Sequence, residues 1–326
     1  MATVITNLLS AIPVFGHDLV ELIYYKKFLV STASSIDFNL LISENSVLPT
    51  VGTVSPYALK KGIKVRLDKS EYLSVPYQFL SFLAGLIDGD GYIQIIKTTK
   101  GFIKICLVLQ LHLNDLSTLE YVHSVLKIGK ITISRDHKSP NCKLIINKTD
   151  LQDIFFPLLI HHGIFFLTNN RRSQFNLAMF ICEKDIKQFD LIPNYIDVPS
   201  FTILPANPSG YLYLPFFKNW VVGFTTADGS FLIKANNDAC FQLKQAIHIN
   251  MFDAFKLLFE TCRKTGTEND RFFQLSVSSK KDIQTVINFF SFSGLHPLTG
   301  LKYIQYINWL NKLKISTRYK NLNFPD

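Results

Sequence analysis

From Tyr77 onward the apolar positions fall into short runs whose spacing switches between the helical and the extended period. Residues 77–88 are apolar nearly all round (Phe79, Leu80, Phe82, Leu83, Leu86, Ile87), which predicts a buried helix. Residues 104–112 alternate instead. Ile105, Leu107, Leu109 and Leu111 fall on one face and Lys104, Gln110 and His112 on the other, as in a strand with one face on a core. Asp115 is placed to cap a helix that carries Leu116, Leu119, Val122 and Leu126 and stops at Gly129. Residues 131–134 and 143–146 read as short strands, and 150–159 and 174–182 as helices. Pro193, Pro199, Pro205, Pro208 and Pro215 then break the periodicity over 183–215, a segment too proline-rich for regular structure.

After that break the same order returns: helix 216–227, strands 231–235 and 240–245, helix 251–262, strand 273–278, and helices 282–290 and 302–313. The stretch FLAGLIDGDGYI is answered by WVVGFTTADGSFLI, and the Asp-Gly pairs that end them, at Asp90 and Asp228, lie 138 residues apart (228 − 90). Phe155-Phe156 followed by Leu167-Thr168 is likewise echoed by Phe289-Phe290 followed by Leu298-Thr299. The chain therefore reads as an internal duplication of an α+β unit, each copy αββαββα with an antiparallel sheet.

Composition sharpens this picture. The net charge is +9, from 34 Lys and Arg against 25 Asp and Glu, which points to an anionic polymer as partner, nucleic acid before membrane. The five cysteines are scattered without a CxxC pair, against a disulfide framework or structural zinc and for a reducing compartment. The apolar start, residues 1–15, is interrupted by Asn7, Ser10 and Pro13, too short to span a membrane.

Candidate chemistry gathers on the repeated motif. Ala84, Gly85 and Gly89, matched by Gly223 and Ala227, let two helix backbones approach closely, so the motif helices are expected side by side with their C-terminal ends together. Each end carries partial negative charge from its helix and adds a carboxylate, Asp90 or Asp228. Such a pair repels unless a cation lies between, and a hard divalent metal completed by substrate phosphate answers that need. A single Asp-Gly after a helix is only a turn signal; two matched copies, each followed by a strand, argue for more. Asp88-Gly89-Asp90-Gly91 also starts like a calcium loop, but an EF-hand would require an oxygen ligand at Tyr92 and a glutamate at Thr99. Polar strand faces offer a recognition surface for a major groove: Gln94, Lys97, Lys104, Gln110 and His112 in one copy, Lys234, Gln242, Lys244 and Gln274 in the other, with Arg135, Lys143 and Arg271 nearby. His161-His162-Gly163 has no partner cluster and reads as a loop, and His123 as a partly buried helix residue.

LAGLIDGDG, ending at Gly91, resembles the LAGLIDADG homing endonuclease motif with Gly89 in place of alanine, and VVGFTTADG, ending at Gly229, is a looser second copy. The resemblance runs from about Tyr77 to Asp326. It implies a single-chain, pseudo-two-fold nuclease whose two domains form a saddle over DNA, with the motif helices at their interface. It also implies that Asp90 and Asp228 hold Mg²⁺ or Mn²⁺, helped by the backbone carbonyls of Gly89 and Ala227. Gln245, at the end of a second strand, would position water, and Arg171 and Lys302, near the starts of the last helices, would complete a catalytic set. Thr226 stands where the first copy has Asp88, a position the family does not use for metal. Residues 2–23 resemble a segment of mitochondrial cytochrome b, as upstream exon sequence read in frame into an intron would.

These readings divide the chain into a leader, 1–70, a first domain, 71–185, a linker, 186–213, and a second domain, 214–326. The expected activity is a metal-dependent double-strand break in a long DNA target, the intronless cytochrome b gene, by a monomer in the mitochondrial matrix with no membrane partner. Two rivals stay open: an RNA maturase that assists its own group I intron, with that RNA as partner and the two activities able to coexist, and a DNA-binding protein without catalysis.

Overall fold

The computed structural model describes residues 69–326 apart from 194–197, 247 and 269–270; the expected leader and its cytochrome b-like stretch lie outside the described residues, save 69 and 70. The described residues belong to one compact unit. Among them, no helix is long and apolar enough to cross a membrane.

The first half runs α1 (Tyr77–Asp90), β1 (Gly91–Lys97), β2 (Ile103–His112), α2 (Leu116–Leu126), β3 (Lys130–Ser134), β4 (Asn141–Asn147), α3 (Phe156–His161) and α4 (Asn169–Glu183). The second runs α5 (Phe217–Asp228), β5 (Gly229–Ile233), β6 (Ala239–Ala246), α6 (Ile249–Leu258), β7 (Gly266–Glu268), β8 (Phe272–Val277), α7 (Lys280–Ile287) and α8 (Gly300–Ile315). The two antiparallel sheets have matching orders, β1-β2-β4-β3 and β5-β6-β8-β7. The duplication extends to irregularities, since a π-helical turn stands at Leu151–Phe155 in one half and at Asn288–Phe292 in the other. Strand β7 escaped the sequence reading because three residues, Gly266, Thr267 and Glu268, leave no room for an alternating pattern.

Helices α1 and α5 form the centre of the molecule. A Cβ built on Gly85 would stand 1.9 Å from the carbonyl oxygen of Trp220, and one on Gly223 would stand 1.8 Å from that of Phe82. The two glycines thus exchange equivalent contacts across a pseudo-dyad, and any side chain there would part the helices. Gly89 fits the same rule, because a Cβ on it would lie 2.3 Å from the Cβ of Ala227. With alanine in the second copy of the motif, the first has room only for glycine. Trp220 is fully buried and donates its indole N–H to Asp88 across the interface at 2.8 Å. Phe82, its counterpart, stacks on the imidazole of His296 with centroids 3.9 Å apart.

Several expectations need correction. Asp115 sits at the N-terminus of α2 but makes no side-chain bond to that helix. Lys127, in the left-handed region at φ 53°, ends α2 two residues before Gly129. The proline-rich segment is partly regular, with a 3-10 turn at Phe189–Leu191 and a helix at Pro208–Leu212 capped by Asn207. It is also pinned to the β1–β2 hairpin, with Ile103 N–H donating to Lys187 O and Phe189 N–H to Gly101 O. Finally, His161 is the last residue of α3 rather than part of a loop, and the ring of His162 packs edge-on to Tyr77. His123 is half-buried in α2.

Candidate active site

Helices α1 and α5 end on Asp90 and Asp228, and the following Gly91 and Gly229 are already extended, so each chain passes from helix to strand without a loop. That abrupt passage fixes both carboxylates at the base of the interface, partly withdrawn from water. Burial pushes Asp90 up to about 6; Asp115 reinforces the rise, while Lys302 and Arg171 oppose it. Burial pushes Asp228 up to about 7, with the nearby Asp90 charge adding to it and Lys302 and Arg171 again opposing. The Asp90 charge acts on Asp228 in a partly dry site, and Lys302 and Arg171 offset the resulting rise only in part.

Two cavities open beside the ends of these helices. One, of about 350 Å³, is lined by Asp90, by His112 and Asp115 from the first half, and by Lys302 from the second. The other, of about 190 Å³, is lined by Gly89 and Arg171 from the first half and by Gln245 and His248 from the second. Each cavity therefore receives its basic residue from one half and its strand end from the other. Arg171 and Lys302 are both third residues of the last helix of their halves. Arg171 Nε donates to the carbonyl of Ile87 at 3.1 Å, and Lys302 Nζ donates to that of Gly229. Burial lowers the pKa of both, against the attraction of the surrounding acids.

The helices bearing these bases are tied to the first strand of their own half by matched glutamines that the sequence reading passed over. Gln174 accepts from Ile93 N–H at 3.0 Å and also from Arg171, while Gln305 accepts from Phe231 N–H at 3.4 Å. Their shared spacing, three residues after each basic residue, was the available signal.

The duplication is broken at three places. Gln245 donates to Asp228 at 2.8 Å, whereas the strand register puts Leu111 at the matching position beside Asp90. Asp88 is fully buried and accepts from Leu167 N–H, Thr168 N–H, Thr168 O–H and Trp220, so it anchors the entry to α4; its counterpart Thr226 bonds only within its own helix, to Val222. The entry to α8 is held from the other half instead, by Asp115, which accepts from Leu301 N–H at 2.7 Å.

The residues expected to contact DNA divide by register. Gln94, Lys104, Gln110, His112 and Lys143 share one face of the first sheet, and Gln242, Lys244 and Gln274 share the matching face of the second. Lys97 does not belong with them. Strand alternation puts it on the opposite face with Ile93 and Ile95, where its ammonium meets Asp190 at 2.7 Å. The centre of the first face is also less polar than its ends, because Cys106 and Val108 are buried there. Lys244 lies over the ring of Phe272 at 5.2 Å. Lys234 stands in the β5–β6 turn, and Arg135 and Arg271 are exposed beside strand ends.

Among the described residues there is no cluster of three or more His, Cys, Asp or Glu side chains to hold a metal. A metal here would rest on two carboxylates from different halves and on backbone carbonyls at two helix C-termini, an all-oxygen set of negative potential. The Asp228 carboxylate reaches across to Gly89, where a Cβ would lie 3.4 Å from its Oδ2. Those donors fit a hard divalent ion.

Fold and site together define a single-chain nuclease built as two halves around a shared pair of carboxylates. The family model described as LAGLIDADG endonuclease matches residues 83–165 and 221–313. Solved structures agree in fold. The meganuclease I-SmaMI bound to uncleavable DNA is 18% identical, over 76% of this chain and 93% of that one, with a TM-score of 0.58. I-LtrWI bound to its target DNA is 17% identical, over 76% and 92%, at 0.56. I-CpaMI bound to uncleaved DNA is 18% identical, over 71% and 90%, at 0.53. The chain belongs to the LAGLIDADG endonuclease family, as a double-motif homing endonuclease. Endonucleases of this family generally use divalent metal ions.

Proposed function

We propose that this endonuclease makes a Mg²⁺-dependent staggered double-strand break in the intronless cytochrome b gene and so propagates a group I intron, acting as a monomer in the mitochondrial matrix. The observation that carries the chemistry is the meeting of Asp90 and Asp228 at the ends of two packed helices, each beside a cavity that holds a basic residue. The target and compartment rest on the cytochrome b-like residues 2–23.

Asp90 and Asp228, with the carbonyls of Gly89 and Ala227, would hold the metal, which when bound neutralises charge developing on the phosphate and lowers the pKa of water. Gln245 donates to Asp228 and accepts from Ala246 N–H, which leaves its second amide hydrogen to orient a water on that side. Lys302 and Arg171 face the phosphates from opposite halves and stabilise the departing oxygens electrostatically. The two polar sheet faces supply Gln and Lys side chains for base edges, each good pair worth about 1–3 kcal/mol of discrimination.

A plasmid carrying the joined cytochrome b exons tests target, chemistry and metal together. The expected result is one linear product with Mg²⁺ and none with chelator. Uncut plasmid across Mg²⁺ and Mn²⁺ would overturn the assignment of target. The maturase reading predicts stimulation of intron splicing in vitro that survives loss of Asp90.

A further inference from the structure

The two cavities carry different groups at one equivalent position, the residue that opens the helix after the second strand. In the Asp90 cavity that residue is Asp115, at the start of α2; in the other it is His248, at the start of α6. His248 caps its own helix, its Nδ1 accepting from Met251 N–H at 3.3 Å. Asp115 leaves its own helix uncapped and spends its carboxylate on the other half, accepting from Leu301 N–H at 2.7 Å. Lys302 is the next residue.

The fit at that junction is close. A Cβ on Gly300 would fall 1.9 Å from Asp115 Oδ1 and 2.4 Å from Thr118 Oγ1, and Gly300 has a left-handed φ of 55°. Thr118 O–H also reaches Thr299 Oγ1 at 3.4 Å. The first turn of α8, which bears Lys302, is thus seated on the start of α2 by hydrogen bonds from the opposite half. The first turn of α4, which bears Arg171, is seated on Asp88 of its own half. Breaking one seat leaves the other whole.

We propose that Asp115 is a positioning residue for Lys302, so that it governs the cut made in the Asp90 cavity and not the cut made in the other; the two strand cleavages are then separately adjustable. This rests on the nuclease reading above. A shift of about an ångström in Lys302 is expected to slow the served cut by ten- to a hundredfold.

The test is strand-resolved cleavage of a duplex labelled on both strands, with the full-length protein and Mg²⁺ over substrate concentrations from below KM to saturation. Asp115→Ala is expected to slow one strand's cut at least tenfold, in kcat rather than KM, with the other within about threefold, so that nicked product accumulates. The slowed strand should be the one most affected by Lys302→Ala and least by Arg171→Ala. Asp115→Asn, which keeps an oxygen acceptor for Leu301 N–H, should recover most of the loss. If Asp115→Ala does not fold, Asp115→Glu, which moves the carboxylate by one methylene, replaces it with the same expectation of strand bias. Equal slowing of both strands, or of neither, by a folded variant overturns the proposal. Failure of the parental protein to cut either strand instead overturns the nuclease reading on which it rests.

Discussion

Replacing Gly223 by alanine puts a methyl group 1.8 Å from the carbonyl oxygen of Phe82, backbone of the facing helix that no rotamer change can move aside. A carbon and a carbonyl oxygen meet at about 3.3 Å, so α1 and α5 must part locally by about 1.5 Å. Alanine in a helix interior returns up to about 1 kcal/mol of propensity, but overpacking of this kind costs about 1–3 kcal/mol and occasionally more. The parting also loosens the hydrogen bond from Trp220 to Asp88 across the interface. We expect a net loss of about 1–3 kcal/mol, or about 3–10 °C in Tm. The larger effect should fall on cleavage. The same displacement is carried to Asp90 and Asp228 at the helix ends, and a misplacement near 1 Å costs on the order of a hundredfold in rate. Urea unfolding and plasmid cleavage on one preparation measure both, with Gly266→Ala as control, since a Cβ there meets only Gln274 O at 3.8 Å. A Gly223→Ala protein as stable and as fast as the parent would refute the close helix approach.

Gly89→Ala restores the residue common in the motif yet should destabilise the protein by about 1–3 kcal/mol, and the double change with Ala227→Gly should recover most of that in a double-mutant cycle of unfolding free energies. Asp88→Ala strands buried donors on both halves and is expected to cost about 3 kcal/mol, more than any exposed acid such as Asp190, whose loss should cost under about 1 kcal/mol in the same assay. Lys104→Ala should reduce the salt dependence of DNA binding by about one unit of slope and Lys97→Ala should not, measured by fluorescence anisotropy across salt concentrations. Burial raises Asp90 to about 6 and Asp228 to about 7, so the metal-free fold binds more protons than the unfolded chain. That contribution is complete below the ordinary carboxylate range and lost as pH rises toward 7. Thermal melts should therefore show Mg²⁺ stabilising the protein more at pH 8 than at pH 5.5.

Much of the architecture could be read in the chain because hydrophobic period and small residues are local properties. The spacing of Gly85 and Gly223 was enough to expect a helix pair, and the alternation around Leu107 and Leu243 enough to expect strands. What could not be read depends on contacts between distant segments. Asp115 has the sequence context of an ordinary helix cap, and only folding shows its carboxylate spent on Leu301 of the other half. Asp88 lies within the motif, but its four donors come from residues 79 to 132 positions away. Lys97 reads as part of a polar strand face by residue type, although parity along its own strand already sets it opposite Gln94. That Lys302 faces Asp90 while Arg171 lines the cavity of Gln245 is a product of the pseudo-dyad, which a linear repeat announces without giving its handedness.

The shared pair of acids is tested most directly by purified Asp90→Asn and Asp228→Asn proteins, assayed for double-strand cleavage of the exon-junction target with Mg²⁺ and for binding of the same DNA. Each is expected to bind within a few-fold of the parent and to make no double-strand break. Cleavage by either variant at the parental rate would contradict a composite site built from both halves.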